Sequence, residues 1–133
     1  MIVVDTSAWI ELLRATGSRV DRTLDRLLSE QAELAVTEMV IAEVLAGARD
    51  AAHWAALRSR LLGHELLALG GLRGFEAAAD LYVQCRRQGV TVRRLADCLI
   101  AVPAIDAGAA VLHADADFDA IARCAPLTIA PLD

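Results

Sequence analysis

Apolar residues fall into two kinds of run along the chain. Short, nearly continuous runs rich in Val, Ile, Leu and Ala stand at 2–4, 34–36, 66–69, 110–113 and 127–129. Each is too short for a helix and is bounded by polar residues or glycine, so each predicts a strand. Between them lie stretches with helical character. Residues 7–14 predict a short helix started by Asp5-Thr6-Ser7, and 19–30 an amphipathic one with Val20, Leu24, Leu27 and Leu28 on one face. Thr37 caps a helix over 38–48, and another follows over 51–62. The span 73–88 predicts a long helix with Gly89 at its C′ position. The span 94–107 predicts one ended by Gly108, and Asp115-Ala116-Asp117-Phe118 opens a short last helix.

Strands separated by helices imply a mostly parallel sheet with crossover connections. The strands are nearly all apolar, as expected when helices cover both faces. The class is therefore α/β, in three layers around a small central sheet. In such sheets ligands bind beyond the carboxyl ends of the strands. That rule selects Asp5, after the first strand, and Asp115 and Asp117, after the fourth.

Composition narrows the chemistry. The 133 residues predict one domain, with 56 % apolar residues led by 27 Ala and 20 Leu. No apolar stretch is long enough to cross a membrane; the most apolar region, 95–114, is cut by Asp97 and Asp106. The opening MIVVD lacks the basic start of a secretory signal, so a cytoplasmic location, not a secreted one, is expected. All thirteen basic residues are Arg, which excludes a phosphate-loop nucleotide hydrolase and a Schiff-base enzyme, both of which need Lys. Cys85, Cys98 and Cys124 are odd in number and far apart, so they predict buried thiols rather than a disulfide or zinc site. His53, His64 and His113 are equally scattered.

The informative acids are those in apolar surroundings, because a buried carboxylate is costly unless paired or bound to a cation. Asp5 follows a strand and can simply cap a helix. Glu43 lies mid-helix in EMVIAEVLAGA, a segment apolar nearly all round and so predicted to be buried; the plainer alternative is an acid reaching water along an edge. Asp97 stands in LADCLIAVPAID, where it can cap the helix or pair with Arg93 and Arg94. Asp115 and Asp117 have the spacing of oxygen ligands, and also of a capped turn. Asp119 is expected in solvent, and Asp106 points to the opposite helix face from Asp97. Two strand ends and two helices thus offer acids to one edge of the sheet. Gathered there, they repel unless something positive lies among them. Oxygen-only ligands suit Mg²⁺ or Mn²⁺, and a pair of such ions about 3.5–4 Å apart can clamp the attacking and leaving oxygens of a phosphodiester.

In these residues the chain resembles a known family. IVVDTSAWIELL at 2–13, Glu43 in VIAEVLAG, ADCLIA at 96–101 and VLHADADFDAIA at 111–122 are similar, in order and spacing, to the PIN-domain ribonuclease toxins of the VapC family. The resemblance implies a single PIN-like nuclease domain over 1–133. It implies a metal-dependent endoribonuclease, the toxin of a bacterial or archaeal toxin–antitoxin pair, restrained by a VapB-type antitoxin and often homodimeric. It assigns Asp5, Glu43, Asp97 and Asp115 as the catalytic acids, Asp117 as an additional metal ligand, and Thr6 as a supporting hydroxyl. One ion held chiefly by Asp5, Asp97 and Asp115, and a second near Glu43, Asp97 or Asp117, are then expected. Products would carry 5′-phosphate and 3′-hydroxyl ends. Pro103 stands where the family carries a small helix former and predicts a kink beyond the turn holding Asp97.

Net charge is −5, unusual for a nucleic-acid binder, but the five proposed site acids account for it. Arg14, Arg19, Arg22, Arg86, Arg87, Arg93 and Arg94 are the candidates for a local RNA-binding patch. Aromatics are only 4 % of the chain, so base stacking is limited and contacts to structured RNA backbone are expected. A haloacid-dehalogenase-type phosphatase needs a second Asp where Ser7 stands, and both it and a receiver domain need the missing Lys. The remaining alternative is a PIN-like module that binds or assembles without catalysis; the full set of four acids argues against it.

Overall fold

The computed structural model describes residues 1–133. The elements run β1 (Ile2–Val4), α1 (Thr6–Leu13), α2 (Arg19–Ser29), β2 (Leu34–Val36), α3 (Glu38–Ala46), α4 (Ala51–Leu62), β3 (Glu65–Leu66), α5 (Leu72–Arg87), α6 (Leu95–Ala107), β4 (Ala110–Leu112), α7 (Ala116–Ala122) and β5 (Thr128–Ile129). The five strands form one sheet in the order β3-β2-β1-β4-β5, and every neighbouring pair is parallel. From β1 the chain builds outward to β2 and β3. It then returns across the sheet to lay β4 on the other side of β1, with β5 beyond. The reversal of strand order therefore falls between β1 and β4, where an open α/β sheet leaves a crevice at its carboxyl edge.

Alternate residues of a strand face opposite sides of the sheet, yet Val3, Val4, Ala35, Val36, Val111 and Leu112 are all fully buried. Both faces of the three central strands are thus covered, as their apolar runs predict, while the edge strand β3 is exposed. The α6 helix carries Ile100, Ala101, Val102 and Ala104 into the core, and α1 contributes Ala8 and Trp9. No helix is long and apolar enough to cross a membrane.

Four expectations need correction or refinement. The α3 helix is buried on one side only, at Val40 and Val44, while Ala42 and Ala46 are exposed. Alanine makes a helix read as apolar all round without giving it large side chains to hide. β3 is shorter than expected, and beyond it Leu69 N–H donates to the Glu38 carboxylate at 2.8 Å rather than to a strand. Cys85 and Cys124 are not free thiols but form a disulfide between α5 and the residues after α7. The fold brings them to a Cα separation of 5.7 Å across 39 residues of sequence, a pairing that spacing alone does not reveal. Cys98 is free and buried, as expected. Finally, α6 continues through the buried Pro103, so the turn holding Asp97 is intact.

Gly108 ends α6 with a φ of 65°, the left-handed conformation expected of that position. Gly74 serves a different need. It lies in the first turn of α5 against the backbone carbonyl and side chain of Leu69, and a Cβ there would overlap both. Gly74→Ala is therefore expected to destabilise the fold by about 1–3 kcal/mol despite the better helix propensity of Ala. Urea denaturation that shows an unchanged or raised midpoint would contradict this close approach.

Candidate metal centre

β1 ends at Val4, and the chain turns directly into α1 with Asp5 as its N-cap. The Asp5 side chain is 1 % exposed. Its Oδ2 accepts from Ser7 N at 2.9 Å and from Ser7 Oγ at 2.5 Å, while its Oδ1 is buried with no partner. Burial pushes the Asp5 carboxyl above its ordinary pKa, the Ser7 hydrogen bonds oppose this, and the Glu43 charge adds to the rise. Ser7 Oγ also accepts from Ala114 N at 2.8 Å. Ser7 thus ties the carboxyl ends of β1 and β4 together across the crevice. Sequence reading gave Ser7 no such role, although Ser two residues after an N-cap Asp is a recognisable local hydrogen-bonding pair.

β4 delivers the other strand-end acids. Asp115 caps α7 and accepts from Asp117 N at 2.9 Å. The imidazole of His113 supports this turn, its Nδ1 accepting from Asp115 N at 3.0 Å while Nε2 lies 3.2 Å from Asp119. Asp119 is half exposed, as expected, and Asp106 is exposed. Asp117 is 2 % exposed. Its Oδ2 accepts from the backbone N–H groups of Arg93 and Arg94, each at 3.0 Å, and its Oδ1 from Arg93 Nε at 3.0 Å. Burial works upward on the Asp117 pKa, but hydrogen bonds from Asp97, Arg93 and the backbone outweigh it and hold the carboxyl below its ordinary value.

Asp97 lies in the first turn of α6 and is wholly buried. Arg94 Nη2 donates to its Oδ1 at 3.0 Å; its Oδ2 has no partner. Burial pushes its pKa up to about 7, against the pull of Arg94. Glu43, from α3, is not buried as the sequence reading expects: its side chain is 20 % exposed. It stands on the open edge of α3, where its Oε1 accepts from Thr6 Oγ1 at 2.8 Å and its Oε2 from Arg94 Nη2 at 3.2 Å. Thr6 therefore connects the residue after Asp5 to Glu43.

Oxygens of Asp97, Asp115 and Asp117 all lie within 4.8 Å of one another. Asp5 and Glu43 flank this trio rather than joining it, so the grouping differs from an ion centred on Asp5, Asp97 and Asp115. The donors are carboxylate oxygens only, which suits a hard divalent cation. Buried carboxylate oxygens normally have partners, yet hydrogen bonding leaves Asp5 Oδ1 and Asp97 Oδ2 unsatisfied. A divalent cation would satisfy such oxygens, and the residues fit one.

The arginine candidates divide. Arg93 and Arg94 enter the acidic cluster. Arg19 donates from Nε to Asp133 O at 2.7 Å and from Nη2 to Leu132 O at 3.1 Å, and Arg22 to Gly17 O at 2.6 Å. Arg86 lies over the Tyr82 ring, and Arg14 and Arg87 are exposed.

The profile of the PIN domain matches residues 2–123. The chain is 46 % identical over 131 residues to ribonuclease VapC11 of Mycobacterium tuberculosis and to a VapC ribonuclease of Mycobacterium bovis, covering 98 % of this chain and 98 % of each relative. Among solved structures, VapBC2 of Rickettsia felis bound to a promoter DNA fragment superposes with a TM-score of 0.72 at 18 % identity over the full length of both chains. VapBC of Salmonella typhimurium bound to DNA gives 0.70 at 16 % identity, covering 97 % of this chain and 96 % of that one. At those identities the likeness is one of fold. Sequence and fold agree that the chain belongs to the PIN-domain family and, within it, to the VapC group.

Proposed function

We propose that this protein is a divalent-metal-dependent endoribonuclease and the toxin of a toxin–antitoxin pair. The observation that carries this reading is the trio of buried Asp97, half-buried Asp115 and buried Asp117 with an orphaned Asp97 oxygen, flanked by Asp5 and its own orphaned oxygen. The relatives named as VapC ribonucleases support it. Asp97, Asp115 and Asp117 would hold Mg²⁺ or Mn²⁺, with Asp5 and Glu43 completing the acidic wall toward a second ion. When bound, the metal supplies a more acidic water and neutralises charge on the phosphate.

The rest belongs to the chain itself. Ser7 holds Asp5 by one oxygen and leaves the other, buried, without a hydrogen-bond partner. Thr6 and Arg94 together fix the rotamer of Glu43, each holding one of its carboxylate oxygens. His113 and the α7 cap set the direction of Asp115. The exposure of Arg93 and Arg94, 67 % and 50 % at the side chain, supports a role for them in meeting the phosphates of an RNA strand. A VapB-type antitoxin and a second copy of the chain are the proposed protein partners. Exposed Leu72 and Phe75 support a partner surface; Phe75 lines an apolar cleft of about 260 Å³ with Met39, Ala42, Leu69 and Leu99.

The test is incubation of the purified protein with total cellular RNA and Mg²⁺ or Mn²⁺. Cleavage is expected to stop with EDTA, to return when excess metal is restored, and to leave 5′-phosphate and 3′-hydroxyl ends. Cleavage indifferent to EDTA, or products with 2′,3′-cyclic phosphates, would overturn the reading.

A further inference from the structure

Positive charge already stands where the acidic cluster requires it. Arg93 donates from Nε to Asp117 Oδ1 and from Nη2 to Asp115 Oδ1, both at 3.0 Å. Arg94 donates from Nη2 to Asp97 Oδ1 at 3.0 Å and to Glu43 Oε2 at 3.2 Å. Two guanidinium groups thus engage four carboxylates, from α3, α6 and the start of α7. The main chain of the same two residues is fastened separately, both N–H groups donating to Asp117 Oδ2. The anchor is therefore fixed while the side chains remain half exposed or more. Such side chains can leave the carboxylates without disturbing the backbone that presents them.

Two guanidinium charges equal one divalent ion. An ion at the centre of Asp97, Asp115 and Asp117 draws on carboxylates that the arginines already occupy, and it repels both guanidiniums at short range. A planar guanidinium freed there has a ready second partner in a phosphate, which it binds through two parallel N–H donors.

From this arrangement we infer that Arg93 and Arg94 are a tethered counter-cation. They hold Glu43, Asp97, Asp115 and Asp117 together in the absence of a divalent ion and compete with the ion for those carboxylates. Displaced by it, they turn outward to the phosphate of the substrate. Only this last step rests on the nuclease reading.

The experiment uses the full chain and Mn²⁺ alone as the first probe. Arg94→Gln and Arg93→Gln keep a polar stem and remove the charge, and thermal melting confirms that each folds. Calorimetric titration is expected to show each variant binding Mn²⁺ about tenfold more tightly than the wild type, because binding and displacement are linked. Arg94→Lys restores the competing charge and returns Mn²⁺ affinity toward the wild-type value. On RNA with saturating Mn²⁺, the Gln variants are expected to lose about tenfold in kcat/KM, mostly through KM. Tighter metal with poorer substrate binding is the signature. Arginines that merely brace the site give weaker metal binding when removed, so unchanged or weaker Mn²⁺ binding in both Gln variants overturns the inference. Tighter Mn²⁺ binding in a protein that cuts no RNA supports the competition and removes the nuclease reading. Absence of Mn²⁺ binding in wild type and variants alike removes both.

Discussion

Asp97→Asn is expected to abolish RNA cleavage, by roughly a thousandfold or more, while the protein melts no lower than the wild type above pH 7. Loss of function and gain of stability share one cause. Asp97 is wholly buried, and burial lifts its pKa to about 7, so above that pH the fold holds a carboxylate that its surroundings disfavour. Asparagine has the same shape. Its oxygen can accept from Arg94 as Asp97 Oδ1 does, and its amide can donate toward Asp117. What it cannot supply is the negative oxygen that a divalent ion takes up. Asp5→Asn is expected to behave similarly: an Asn cap accepts from Ser7 as Asp does, but the orphaned Oδ1 is replaced by a donor. The measurements are melting followed by circular dichroism and cleavage with Mn²⁺. A folded Asp97→Asn protein that keeps even a tenth of the wild-type rate would remove Asp97 from the metal centre.

The acids that could be located from sequence were those tied to strand ends. Asp5 follows a short apolar run directly and Asp115 stands just past another, and the rule that ligands gather at the carboxyl edge needs no side-chain detail to select them. Asp97 was legible because an acid early in an apolar helix has few solvent-facing alternatives. Glu43 reached the cluster by a different route from the one its helix suggested. Alanine-rich α3 looked buried all round, yet it is one-sided, and Glu43 approaches along the open edge with Thr6 holding it. The features that escaped were pairings across long sequence separations. Ser7 with Ala114, Arg93 with Asp115 and Asp117, Arg94 with Glu43, and Cys85 with Cys124 depend on how β4 is laid beside β1 and how α5, α6 and α7 pack. No local periodicity encodes those distances. Arg93 and Arg94 show the same limit: as a pair of basic residues they suggest an RNA patch or local partners of Asp97, and Arg94 does pair with Asp97. Folded, they also bridge acids from three separate parts of the chain.

Without divalent metal, the stability of the protein is expected to fall as pH rises from about 4 to 7, against the usual behaviour of a carboxylate-rich chain. The sign follows from proton counts. Asp97 titrates at about 7 in the fold and at its ordinary value, 3.8, when unfolded, so in that window the folded state binds the extra proton. Stability gained from the protonated form is then lost progressively, and the raised Asp5 adds in the same direction. Asp117 and Asp133 are held below their ordinary values, and their contribution is lost only as pH falls below about 4. His64 acts oppositely to Asp97: burial lowers its pKa, so the fold gains from it as pH rises toward 6.5. Comparing the wild type with Asp97→Asn cancels His64 and Asp5 and isolates Asp97; the decline is expected to be steeper in the wild type than in the variant, which keeps only the part due to Asp5. Mg²⁺ should reverse the trend, because the ion stabilises the ionised form that burial disfavours. At a hundredfold excess over its Kd, binding contributes about 2.7 kcal/mol, enough to raise Tm by several degrees. The rise should be larger at pH 8 than at pH 5, where the ion must first displace a proton from Asp97. Equal Mg²⁺ shifts at the two pH values, or a decline as steep in Asp97→Asn as in the wild type, would place the coupled proton and metal on some other group.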